Sequence, residues 1–482
     1  MASDDFHLGS PPSTPVEWLI YLQGRLSTRL AQIRRYADYY EGRQSTMPFS
    51  QSLYNTAFGD AFRDWSDNFC GLIVDSVNER LAVEGFRMTS DPDADQDAQQ
   101  IWLRNDMTVQ SSGAHLDAML HGESYAIVWA GVDGEPIISC ESAEHVIVQY
   151  RAGSRTEIEA AAKFYSDDWG RQYATLWTDE YVYTSFAQGL GWFPPVQADN
   201  PLKRVPVVPI SNRARLTGHP TSDLASVIPL QDAINKTGTD ALVASEMAAF
   251  PARFVTGLEI VEDEAGNPIE PFRIAIDKVL QAEDPQAKFG QFQSADLQNY
   301  RTLIDMLTQH LAAISRIPSY MIDPSGQPAT GEGAEAAEYG LVAKARERIL
   351  HFGRAWVEVM RLCFAVKGDP RADAYGAEVI WREVENRSEA QHMDALVKLF
   401  ALGVPAAVLW EKAGFTPQEI DRFPALLDLQ EALIREYPSA ISSSASQPAG
   451  ATNDVAEMAA TAPQGNAGNA ARKQAGDDAS RR

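Results

Sequence analysis

Apolar residues recur along much of this chain at spacings of three and four, and the longest such runs fall late in the sequence. Leu297, Tyr300, Ile304, Leu307, Leu311 and Ile314 alternate these spacings. That predicts a helix over about 297–316 with one narrow seam for packing lengthwise on another helix. Val342, Ala345, Ile349, Phe352, Trp356, Val359 and Cys363 predict a second long helix across 335–366. The stretch between them, 318–335, suits neither helix nor strand. Its last part, 323–335, holds three Gly, two Pro and three acids, which predicts a mobile loop with few buried contacts.

Upstream, Thr14-Pro15 followed by Glu17 reads as a helix start, and that helix ends near Tyr40, before Gly42. Further helices are expected at 60–82, 94–105 and 107–121, with a polar loop at 44–58. Alternating and β-branched runs predict strands at 124–130, 136–139, 145–150, 158–166, 172–178 and 181–186. Residues 193–220, rich in Pro and Arg, read as a connector. Ser222 then opens a helix to about Ala249, which Pro229 either starts or kinks. Gly238 in its middle costs roughly 1 kcal/mol against Ala and suggests a tight helix crossing. Residues 252–292 read as a small module with strands at 253–260 and 271–275. One more strand fits 376–384, and short helices fit 388–402, 405–413 and 416–435. The leader, 1–13, and the Ala/Ser/Gly-rich tail, 438–482, carry too little apolar surface to fold. The fold class is α+β and predominantly helical.

Composition narrows the partners. The 482 residues carry a net charge of −25, so the molecule as a whole repels nucleic acid and any DNA contact is local. Cys70, Cys140 and Cys363 lack metal-ligand spacing and read as buried thiols of a reducing compartment. The acidic, Pro-rich start is no signal peptide, and no apolar run reaches the roughly 18 residues of a membrane span. The place of synthesis is therefore expected to be the cytoplasm.

Specific chemistry is sparse. Asp91, Asp93, Asp95 and Asp97 mimic the start of a calcium loop, but Gln96 stands where Gly is needed and Trp102 where a bidentate Glu is needed. A helix N-terminus flanked by acids is the plainer reading. Gly331-Glu-Gly333 fits a relaxed dinucleotide fingerprint without the preceding strand. Phosphate-loop, GxSxG, HExxH and CxxC motifs do not occur. His121 reads as a packing residue, and Glu141 with Glu144 as a chance pair of acids rather than a hydrolytic dyad. No catalytic residue, cofactor or metal is assigned. Basic residues cluster at Lys203-Arg204, at Arg213 and Arg215, and at Lys344, Arg346, Arg348 and Arg354. Salt bridges between subunits and contacts to DNA are the competing readings. Two long helices joined by a mobile loop suit a helix-lined passage.

Several segments, in order, resemble the portal proteins of tailed double-stranded-DNA bacteriophages, of the type found in phages of actinobacteria. They are Tyr39-Tyr40-Glu41-Gly42, the run from Asn78 to Phe86, the run from Asn200 to Pro209 and, most strongly, Ser222 to Thr237. The resemblance spans about 15–435. It implies a ring of about twelve subunits at one capsid vertex, assembled in the host cytoplasm and carried in the virion. Residues 14–221 would form the wing, 222–251 and 293–317 the stem helices, and 252–292 the clip. Residues 318–335 would form the tunnel loop, 336–387 the long helix and return strand of the wing, and 388–437 the crown. Asp323, Thr330, Glu332 and Glu335 become candidates to face the channel. Lys236, Lys344, Arg346 and Arg348 become candidates for DNA or neighbouring-subunit contacts. Implied partners are the terminase large subunit, a head-completion or adaptor protein, the major capsid and scaffolding proteins, and duplex DNA passing without sequence-specific binding. A membrane is not among them. The packaging ATP would be hydrolysed by another protein. A channel-less capsid or scaffolding protein and an acidic hydrolase remain as alternatives.

Overall fold

The computed structural model describes residues 10–44, 66–89, 94–188, 191–213, 216, 219–249, 253–256, 288–291, 296–323, 331–385, 389–415, 417–420 and 422–427. Helix α1 (Pro15–Tyr40) begins with the expected capping box: Thr14 accepts from the Glu17 amide, and Glu17 reaches back to the Thr14 amide. Its inward positions divide the chain's cores between them. Leu19, Leu22 and Leu26 lie on Ala160, Ala162, Ala174 and Leu176, where small side chains let helix and sheet approach closely. Ile33 joins a second cluster with Tyr125 and Trp177. Tyr36 and Tyr39 enter the main helical core.

The sheet under α1 contains β4 (Val146–Tyr150), β5 (Ile158–Ser166), β6 (Gln172–Thr178), β7 (Tyr181–Gln188) and β8 (Gly191–Trp192), paired in sequence order, with β9 (Val196–Asp199) also on β7. A second sheet orders β10–β2–β3, with β2 (Glu123–Ala130) between β3 (Pro136–Ser142) and β10 (Val207–Ser211). Strand β10 corrects the connector reading of 193–220. Pro209 pairs opposite Tyr125 and lacks a ladder donor, so its strand is tolerated only at a sheet edge, where β10 lies. Strand β1 (Val83–Arg87) is a further addition and pairs antiparallel with β13 (Glu378–Trp381), far along the chain.

Helices α2 (Cys70–Asn78), α3 (Gln96–Arg104) and α4 (Met107–His121) pack with β2 around the longest helix, α8 (Gly331–Val366). The expected helix at 60–82 is shorter: 66–69 are not helical, 79–82 turn into β1, and 60–65 lie outside the described residues. On α8 the predicted seam is confirmed. Val342, Ala345, Phe352, Trp356, Val359 and Cys363 are buried and Ile349 is half-buried. Trp356 packs edge-on against Trp102 at 5.2 Å and donates from Nε1 to His115 Nε2 at 2.7 Å. His115 stacks flat on Phe352 at 5.1 Å.

Helix α5 starts at Ile228, not at Ser222, and runs to Ala249. Residues 223–227 form a turn in which Ser222 Oγ accepts from the Leu224 amide. Pro229 thus sits in the first turn of α5, where its missing donor is harmless. Chain leaves α5 through β11 (Arg253–Thr256), which pairs antiparallel with β12 (Lys288–Gln291), and returns into α6 (Leu297–Ser315). The expected strand at 271–275 lies outside the described residues. Three more helices, the single-turn α7 (Ser319–Ile322) and, after β13, α9 (Glu389–Ala401) and α10 (Ala406–Lys412), belong to the first unit. The second unit begins at Gln418; of the helix expected over 416–435, the described residues include α11 (Pro417–Ile420) and a helical stretch at 423–427, and 428–435 lie outside them.

Candidate functional site

The segment that carries the strongest resemblance, Ser222 to Thr237, is where the fold converges. Two α5 side chains hold the start of α2: Gln231 donates to the Asp67 carbonyl at 2.7 Å and accepts from the Phe69 amide at 2.9 Å, and Asn235 accepts from the Asp67 amide at 3.0 Å. Tyr39 of α1 donates to Asp232. Ahead of α5, Asn212 clamps the turn through the Thr221 carbonyl at 2.8 Å, and the Asp223 amide donates to the Met119 carbonyl at 2.9 Å. Gly122 ends α4 at φ 96; a Cβ there would meet the Pro220 carbonyl oxygen at 2.9 Å, so only glycine fits.

Asp223 is 5% exposed and lies between two buried cations of α8. Lys344 Nζ is 3.0 Å from Oδ2, Arg348 Nη2 donates to Oδ1 at 2.8 Å, and Asn212 adds a bond at 3.1 Å. Burial alone would raise the Asp223 pKa; Lys344 and Arg348 outweigh it and hold the carboxyl below the usual range. Lys344 is lowered, first by burial, with Asp223 opposing and Arg348 and Arg213 adding to the effect. The structure therefore places Lys344 and Arg348 inside the protomer, tied to the turn before α5; Arg348 is fully buried, and Lys344 lies at the wall of a cavity beside that turn. Burial beside a single acid is why; spacing alone gave no sign that Asp223 would meet them. Arg346 is exposed and pairs with Glu385 and, at 4.0 Å, Glu383. Lys236 is exposed on α5 in an i,i+4 pair with Asp240.

Helix occupies both ends of 318–335, the stretch expected to suit neither helix nor strand. Helix α7 takes 319–322, where Tyr320 donates to Glu338 at 2.7 Å and Glu338 pairs with Arg80 at 3.0 Å. Asp323 is exposed, Thr330 lies outside the described residues, and Glu332 and Glu335 fall in the first two turns of α8. Acids there suit the positive end of the helix dipole, which offsets the two glycines beside them. Gly331 and Gly333 lie within α8 itself, and 324–330, where the fingerprint would need its strand, lie outside the described residues.

Other candidates find structural employment. Asp95 caps α3 and, with Asp97 and Asp369, surrounds Arg371 at 2.8–2.9 Å. Glu141 pairs with Lys163, and Glu144 with Arg34 at 3.7 Å. His121 is buried, 3.3 Å from Asp117. Burial pushes the Cys70 and Cys140 thiols up to about 12, which leaves little thiolate at neutral pH. Among the described residues no cluster of His, Cys, Asp and Glu is arranged to hold a metal ion, and no helix is long and apolar enough to cross a membrane.

The described fold is thus a helical core around α8, a paired α5 and α6 from which β11 and β12 extend, and a sheet packed under α1. The chain belongs to the phage portal protein family described as SPP1 Gp6-like, whose model matches residues 21–425. The portal protein of Mycobacterium phage L5 is 30% identical over 350 residues, 69% of this chain and 72% of that protein. The portal protein of Mycobacterium phage D29 is 29% identical over the same shares. Among solved structures the chain is similar to one in the virion of a native gene transfer agent particle, with TM-score 0.42, 12% identity and coverage of 76% of this chain and 92% of that one. It is also similar to one in the neck of an empty particle of that agent, with TM-score 0.44, 11% identity and coverage of 73% and 93%.

Proposed function

We propose that about twelve copies of this portal protein close into a ring at one capsid vertex, and that duplex DNA passes through its channel during packaging and ejection. The observation that carries this is the apolar surface one protomer leaves wet. On α6, Leu297, Leu303, Met306 and Ile314 are 40–52% exposed. On α9, Met393, Val397 and Phe400 recur on one side and are 42–67% exposed. Exposed apolar side chains on two helices call for a partner, and a second copy around a closed ring supplies one.

In this reading residues 14–221 form the wing, and α5 and α6, within 222–251 and 293–317, form the stem. Residues 252–292 form the clip, which docks the terminase large subunit and later an adaptor protein. Residues 318–335 face the channel, 336–387 back them, and 388–437 form the crown. Major capsid and scaffolding proteins meet the outer face, and assembly takes place in the host cytoplasm. The charge supports sliding. A basic wall would gain counterion-release energy at each phosphate and grip the duplex, whereas an acidic chain keeps that gain small. Of the basic candidates, Lys236 and Arg346 keep exposed side chains for DNA or a neighbouring subunit. Electron microscopy of the purified protein tests the proposal: annular particles with a central hole support it, and compact monomers at micromolar concentration overturn it.

A further inference from the structure

The turn before α5, the end of α6 and the middle of α8 enclose a cavity of about 440 Å³, within the range of small-ligand sites. Its walls are charged. Arg213, Arg316 and Lys344 supply cations, and Asp223 and Glu347 supply acids.

The charges do not cancel. Lys344 and Arg348 share Asp223, and Arg348 Nη1 lies 3.3 Å from Glu347. Two buried cations are thus matched by two acids. Arg213 and Arg316 are left over, exposed at the rim, with no acid bonded to either among the described residues. A surplus of two positive charges on one cavity stands out in a chain of net charge −25. The repulsion is felt inside: after burial and the opposing pull of Asp223, Arg348 and Arg213 both act to discharge Lys344.

The backbone adds an independent sign. Arg213 has φ 48 and Arg316 has φ 61, two of the four described non-glycine residues in the left-handed region. Arg316 is the residue that ends α6, a conformation that glycine adopts without steric cost. Strained arginines at both sides of one cavity are the kind of outlier that marks a ligand site.

We propose that this cavity binds a phosphate-class oxyanion, with the Arg213 and Arg316 guanidinium groups on its oxygens and Lys344 behind them. A planar guanidinium offers paired donors to such an anion, and a doubly charged anion matches the surplus. Free phosphate and a backbone phosphate of nucleic acid share this chemistry. The site does not depend on ring closure.

The test is thermal unfolding of the full-length protein against inorganic phosphate at constant ionic strength set with chloride, and in parallel against a short DNA duplex. A saturable rise in melting temperature is expected. In Arg213→Gly/Arg316→Gly the apparent Kd should weaken at least tenfold. Glycine relieves both strained backbones, so without anion this variant should melt no lower than the wild type. If it does melt lower, Arg213→Lys/Arg316→Lys takes its place and should weaken binding severalfold. Saturation by inorganic phosphate assigns the site to free phosphate, and saturation by duplex alone assigns it to backbone phosphate. No saturable response to either, or an equal response in the variant, overturns the proposal.

Discussion

Asp223 and Lys344, 121 residues apart in sequence, meet as an ion pair of 3.0 Å with side chains 1% and 6% exposed. The pair joins the turn before α5 to the middle of α8, so it ties the chain entering α5 to the helix that carries the core. Arg348, fully buried, shares the same carboxylate.

Removing that carboxylate should be severe. Asp223→Ala leaves Lys344 buried without a counter-charge and Arg348 with only the half-exposed Glu347, at a cost of about 3–5 kcal/mol. Urea unfolding of the purified protein measures it. The sign with pH follows from the depressed Asp223 pKa. Its stabilisation is present above the ordinary carboxylate pKa near 3.9 and is lost as pH falls through the lower folded value. Wild type should therefore lose stability in acid by a component that Asp223→Ala lacks.

His115 gives a second pH signature in a different window. Burial lowers its pKa to about 3, while the unfolded chain takes up that proton near 6.5. Folding therefore excludes the proton, and stability falls as pH drops from about 6.5 toward 3, by up to about 1.4 kcal/mol per pH unit from this group. His115→Gln keeps an acceptor for Trp356 and should flatten the slope in that interval. An unchanged slope would contradict a buried neutral imidazole.

Gly122→Ala should destabilise by about 1–3 kcal/mol, because φ 96 is strained for alanine and its Cβ meets the Pro220 carbonyl. Gly134→Ala is the control: φ is 80 but no atom lies within 4 Å, so only the backbone cost remains. Equal melting temperatures for the two variants would refute the steric argument.

Glu332 and Glu335 test the channel-facing proposal. Replacing both with Lys adds cations in every subunit of the ring, so DNA retention should rise and its salt dependence should steepen. Because both residues open α8, the change also costs about 0.3–1 kcal/mol each through the helix dipole. Packaging velocity and DNA retention across a salt series read the first effect, and thermal melts read the second. Indistinguishable retention at low salt would mean these residues do not line the channel.

Local signals were legible where one mechanism dominated. The capping box at Thr14 set the start of α1, and the spacing from Val342 to Cys363 named the buried face of α8. Legibility failed where tertiary pairing overrode composition. Proline argued against a strand at 207–211, yet the sheet edge accepts Pro209. The β1–β13 pair needed residues nearly three hundred positions apart. Gly and Pro around 318–335 hid the early start of α8, since acids near Gly331 support a helix that the glycines weaken. At the charged site, the basic residues were visible but their partner was not. Lys344 and Arg348 looked like surface cations because nothing local marks Asp223 as the acid that buries them.

Native mass spectrometry of the purified protein, with a triple Leu303→Ser/Met306→Ser/Ile314→Ser variant beside it, tests ring closure most directly. The wild type should appear as one closed species near twelve times the 53.0 kDa chain. The variant, stripped of the exposed face of α6, should shift toward monomer while keeping the wild-type circular dichroism. A wild type that stays monomeric at micromolar concentration, or a variant that assembles as fully, would contradict the account.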